Sequence, residues 1–160
     1  MSMNERWVDR SPETMLDTFH WFRGEGFRFI VDDLLHWSDD TGVIVEGFRL
    51  LPQLVAPLLT ERRRGVWLLP SPGFRRAAFD KRGWEIPGKT GDPDRAARNL
   101  LERDRLFTER LREENARLGL PVLDVDTVSE HDLTETVGRM LGLGGSGSED
   151  EERRGCEGEG

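Results

Sequence analysis

The chain has 160 residues, of which 36% are hydrophobic and 34% charged, and its mean hydropathy is −0.60. That balance fits one globular domain with a core of ordinary size, and no apolar run nears the roughly 18 residues a membrane span requires. The net charge of −8 removes the electrostatic basis for generic nucleic-acid binding, even though the stretch from Gly144 onward carries half of it.

MSMNERWVDR is charged and shows no secretory pattern, so it reads as an irregular lead-in and points to a cytoplasmic protein. Ser11 as cap and Pro12 as first helical residue start a helix that Gly24 and Gly26 end. Met15, Leu16, Phe19 and Phe22 recur on it at helical spacing, and Phe27, Ile30, Val31, Leu34 and Leu35 form a second apolar face over residues 27–37. Two antiparallel helices result. Ser38–Gly42 is a turn, after which Val43–Glu46 reads as a buried parallel strand. Pro52 opens a short helix bent or ended by Pro57, and Val66–Leu69 is a second buried strand.

Ser71 and Pro72 start a helix to about Arg82, stopped by Gly83, and residues 84–91 are a loop. Asp92 and Pro93 start the longest helix, terminated by Gly119. Residues 120–125 are a third strand, and Ser129 with Asp132 caps a last helix to Leu141. Residues 142–160 are Gly- and Glu-rich and read as a disordered tail, which also holds Cys156, so a disulfide framework is excluded. Strands alternating with helices predict a layered α/β domain with a mainly parallel sheet. Three strands make that sheet thin, so either a strand is hidden among the helices or part of the domain is missing.

Gly83, Gly88, Lys89 and Thr90 match the spacing of a phosphate-cradling Walker A loop, but the context is wrong. A helix, not a strand, precedes it; Pro87 removes a backbone donor; and Asp92-Pro93 starts the next helix late. Glu46 ends an apolar strand at the edge where parallel sheets bind ligands, and either caps the next turn or orients magnesium or its water. Arg75, Arg76 and Arg82 on one helix, Lys89 in the loop, and Arg95 and Arg98 on the next helix form a basic hairpin suited to phosphates. Arg98, Glu102, Arg105, Glu109 and Arg112 alternate in sign at helical steps, as on a self-neutralising face. Asp32 and Asp33 read as a solvated edge, and the histidines His20, His36 and His131 lack ligand spacing. Trp7, Trp21, Trp37, Trp67 and Trp84 read as core or groove walls.

ERWVDRSPETMLDTFHWFRGEGF, VIVEGFRLLP, VWLLPSPGFRRAAFDKRGW and IPGKTGDPDRAARNLLERDRLFTERL together resemble the latter two thirds of bacterial P-loop kinase-like proteins, over roughly residues 3–141. These are similar to nucleoside and nucleotide kinases, many of them actinobacterial. The resemblance implies a three-layer P-loop NTPase-like fold, with residues 1–141 an incomplete α/β domain, a helical lid at about 72–118, and the first, central strand and the Walker A loop missing. It implies ATP and magnesium as cofactors, with Glu46 as the catalytic, indirectly metal-linked acid. Arg75, Arg76, Arg82, Lys89, Arg95 and Arg98 become phosphate or lid residues, and Arg6 and Arg10 become acceptor contacts. Phosphoryl transfer to a small molecule is then the lineage's activity, inactive in this chain without its phosphate loop. The alternative is a non-catalytic α/β module that binds an anion or a partner. Exposed strand edges predict self-association.

Overall fold

The computed structural model describes residues 1–37, 42–126 and 129–143, the side chain of Trp21 excepted. The turn assigned to Ser38–Gly42 lies largely outside them, and the tail assigned to residues 142–160 does so beyond Leu143. The local signals for helix starts are realised. Ser11, Ser71, Asp92 and Ser129 each accept a hydrogen bond from a first-turn N–H, opening α2 (Pro12–Thr18), α5 (Pro72–Arg82), α6 (Pro93–Leu118) and α7 (Glu130–Leu141). Gly119 and Gly142 close α6 and α7 with positive φ, where a β-carbon would be strained.

The N-terminal segment is ordered, against expectation. Ser2 and Glu5 form a reciprocal capping box, and α1 spans Met3–Trp7. Asn4 Oδ1 accepts from Gly91 N at 2.7 Å, and Asn99 Nδ2 donates to the carbonyls of Trp7 and Val8 at 3.1 and 3.2 Å. α2 stops at Thr18, shorter than predicted, and a 3-10 turn follows at His20–Arg23. α3 (Phe27–His36) contains no buried residue, so its apolar face lacks the cover that the periodicity predicts. α4 (Pro52–Val55) passes at Pro57 into another 3-10 turn.

The predicted three-layer α/β architecture with a mainly parallel sheet is not what forms. The described residues are mostly helical, and their one sheet has two strands, β1 (Trp67–Pro70) and β2 (Val122–Val125). These run parallel in the register Trp67↔Val122 to Pro70↔Val125. The first of the three expected strands, Val43–Glu46, pairs with nothing described, and Val43, Ile44 and Val45 are 45%, 75% and 38% exposed. An apolar run calls for burial but names no partner, and this one finds none among the described residues. The sheet is also covered on one face only: Trp67 and Leu69 are buried, whereas Leu68 between them is 44% exposed.

α6, about 39 Å long at 1.5 Å per residue, is the spine. Leu16, Leu51 and Phe107 form one buried cluster, and Trp67, Leu69 and Leu120 another; Leu111 of α6 packs against both. Phe22 stacks on Phe107 with ring centroids 3.9 Å apart, and Trp67 Nε1 donates to Leu50 O at 3.0 Å. Of the tryptophans expected in core or groove, Trp67 is buried and Trp37 is 58% exposed; Trp21 lies outside the described side chains. No helix among the described residues is long and apolar enough to cross a membrane.

Candidate functional site: an arginine-lined cavity at the strand ends

The C-terminal ends of β1 and β2 open into a cavity of about 810 Å³. Open parallel strands bind ligands at this end because the following turns and helix N-termini converge there. Here Ser71 joins the two strand ends. Its N–H donates to Val125 O at 2.8 Å, its Oγ donates to Asp126 Oδ1 at 2.8 Å, and the same Oγ caps Phe74 N. The cavity wall then runs along α5, with Arg75 and Arg76, and along α6, with Arg98, Arg105 and Arg112.

These guanidinium groups are not equivalent. Arg75 Nη1 donates to the buried Asp104 Oδ2 at 3.1 Å. Arg105 bridges Glu102, at 2.7 and 2.8 Å, and Glu109. Arg112 reaches across to β2 and grips Asp124. The hydrogen bonds from Arg105 hold the Glu102 carboxyl below the usual carboxylate range, and those from Arg112 do the same for Asp124. Arg105 and Arg112 are raised in return, each chiefly by the same hydrogen bonds. Arg76 and Arg98 are exposed and have no carboxylate partner among the described residues. The cavity therefore pairs arginines held by carboxylates with two that have none among the described residues.

Of the residues singled out from the sequence as phosphate or lid groups, Arg75, Arg76 and Arg98 meet in this cavity. Arg82, Lys89 and Arg95 are exposed and line neither it nor the second cavity described below. Glu46 sits in the exposed unpaired segment and also lines neither. The Gly83–Thr90 segment follows α5, and three of its amides bond within it. Gly88 N donates to Trp84 O, Lys89 N to Ile86 O and Thr90 N to Pro87 O, at 2.9 to 3.1 Å. Those three amides are therefore not free to cradle a phosphate. Arg105 and Arg112, read only as parts of a solvated stripe, are walls of the site. The alternating signs along α6 foretold the Arg105 pairs, but no spacing rule could foretell the Arg112–Asp124 contact between α6 and β2.

A second cavity, of about 300 Å³, lies between α1, α2 and α6. It brings together Arg6 and Arg10, the two expected acceptor contacts, with Arg103, which the sequence did not single out. Among the described residues no group of three or more histidines, cysteines or carboxylates is placed to hold a metal ion. Of the carboxylates lining the larger cavity, Glu102, Glu109 and Asp124 bond arginines and Asp126 accepts from Ser71; Glu46 is not among them. No family model, curated protein or solved structure matches the chain.

Proposed function

We propose that the chain is a non-catalytic module that binds a phosphorylated small molecule in the cavity at the strand ends. The observation that carries this reading is the pair Arg76 and Arg98, two uncompensated guanidinium groups on the wall of a cavity whose other arginines are anchored. A paired arginine is held rigid, and an unpaired one retains its donors for an incoming anion. The kinase-like resemblance enters as the source of the arginine-bearing helices α5 and α6, the expected lid, and not as an activity. Supporting this reading, Glu46 does not line the cavity, and the Gly88, Lys89 and Thr90 amides bond within their own segment, where a kinase would aim such groups at phosphate.

Calorimetry at low ionic strength with inorganic phosphate, a nucleoside monophosphate and ATP tests this. Binding is expected without turnover, and the Arg76→Ala, Arg98→Ala double variant is expected to weaken it about tenfold or more, the loss of one charge-assisted contact or better. Absence of binding at millimolar ligand would overturn the proposal. So would magnesium-dependent ATP hydrolysis that is lost in Glu46→Gln, which would restore the kinase reading.

A further inference from the structure

The second cavity differs from the first in its charge. Arg6, Arg10 and Arg103 line it, and no carboxylate among the described residues does. Arg103 is the unusual member, because its side chain is only 9% exposed. Its guanidinium lies 5.3 Å from the Trp7 ring, 5.6 Å from Phe19 and 5.4 Å from Phe22, so aromatic faces shield it on several sides. Nε and Nη2 both donate to Asp104 Oδ1, at 3.0 and 2.6 Å. Nη1 makes no hydrogen bond with the described residues, yet it is not sealed in: the one fully enclosed side-chain polar atom without a partner is Asn115 Oδ1. Arg103 lines the cavity, and Nη1 is the guanidinium nitrogen left without a hydrogen bond among the described residues.

Asp104 is shared, with Oδ1 on Arg103 and Oδ2 on Arg75 at 3.1 Å, so two guanidinium groups lean on one carboxylate. The pair carries one positive charge more than Asp104 balances, and a negative charge beside Arg103, the less exposed of the two, would offset it. The walls say what should carry that charge. Trp7, Met15 and Phe19 present flat or pliable apolar surface, and the cavity is at the small end of the range for organic ligands. We propose that this cavity is a binding site for a planar aromatic carboxylate, a monoanion whose carboxylate meets Arg103 Nη1, Arg6 and Arg10 while its ring lies along Trp7. Asn99, which holds the Trp7 and Val8 carbonyls, fixes that wall against α6.

Indole-3-carboxylate is the probe, with indole-3-carboxamide, cyclohexanecarboxylate and inorganic phosphate as comparisons, all titrated by calorimetry into the full chain. The carboxylate is expected to bind with a submillimolar Kd, and the carboxamide and the non-planar acid at least tenfold more weakly. Arg103→Lys keeps a cation on Asp104 but withdraws the forked donor, and should cost tenfold or more. Thr18→Trp, at an exposed position on the cavity wall, plugs the site without touching the core and should abolish binding, while leaving phosphate binding at Arg76 and Arg98 intact. The proposal fails if the probe does not bind at 5 mM. It fails equally if carboxamide matches carboxylate, if Thr18→Trp binds like the parent chain, or if inorganic phosphate displaces the probe.

Discussion

Removing the Asp104 carboxylate should be the most damaging single change on α6. Three charge-assisted hydrogen bonds end on it, two from Arg103 and one from Arg75, whose side chains are 9% and 30% exposed. Stripping one partner from a buried ion pair costs about 3–5 kcal/mol, because the remaining charge is left without compensation. The aromatic rings around Arg103 and the partial exposure of Arg75 soften the loss, which places Asp104→Ala near the lower end, at about 3 kcal/mol. Urea unfolding followed by far-ultraviolet circular dichroism should show a lower midpoint at unchanged slope. Asp104→Leu combined with Arg103→Met, which removes both charges, should recover most of the stability. A loss below about 1 kcal/mol in Asp104→Ala, or a double variant no more stable than the single one, would show that Arg103 is solvated and that Asp104 does not organise it.

Ile44→Asp should change stability by less than about 0.5 kcal/mol, as expected at an exposed site, because Ile44 is 75% exposed and its segment is unpaired; a buried strand residue would cost several times more. The same variant should reduce concentration-dependent light scattering if the exposed apolar run drives self-association. Acid stability should respond to Asp124 and Glu102, whose carboxyls lie below their ordinary values in the folded chain through Arg112 and Arg105. Their stabilisation is full above the unfolded pKa, near 4, and is lost as pH falls through the folded value. Thermal unfolding between pH 2 and 6 should therefore show a shallower decline at the acid end in Asp124→Asn, by less than about 1 kcal/mol for so exposed a pair.

What the sequence revealed was local. Ser11-Pro12, Ser71-Pro72 and Asp92-Pro93 are complete instructions for a helix start, since cap and first turn are neighbours in the chain, and each was legible. Ser2 and Glu5 carried the same kind of message, and the charged surroundings obscured it. Val43–Glu46 shows the limit. Its composition resembles that of Trp67–Pro70, yet only the latter finds a partner strand, and pairing is decided by residues far along the chain. The candidate sites divide in the same way. Arg75, Arg76 and Arg98 could be grouped because they flank one loop, and Arg6 and Arg10 because they are close in sequence. Arg103 and Asp104 could not be distinguished from the other charged residues of α6, because their importance comes from burial against Trp7, Phe19 and Phe22, which the helical pattern does not encode.

The parallel pairing of β1 with β2 sets an order of events during folding. Ser71 and Asp126, which join the strand ends, are 55 residues apart in sequence, so the two strands meet only after the intervening chain has been drawn in. α6 depends only on neighbours, and helices of this kind form in about a microsecond. Once rigid, it takes up much of the slack and delivers Val122–Val125 to Trp67–Pro70. Loop-closure entropy grows slowly with length, so the long excursion slows assembly more than it weakens the finished molecule. The arginine-lined cavity at the strand ends, whose walls come from both sides of that excursion, is therefore assembled among the last parts of the molecule.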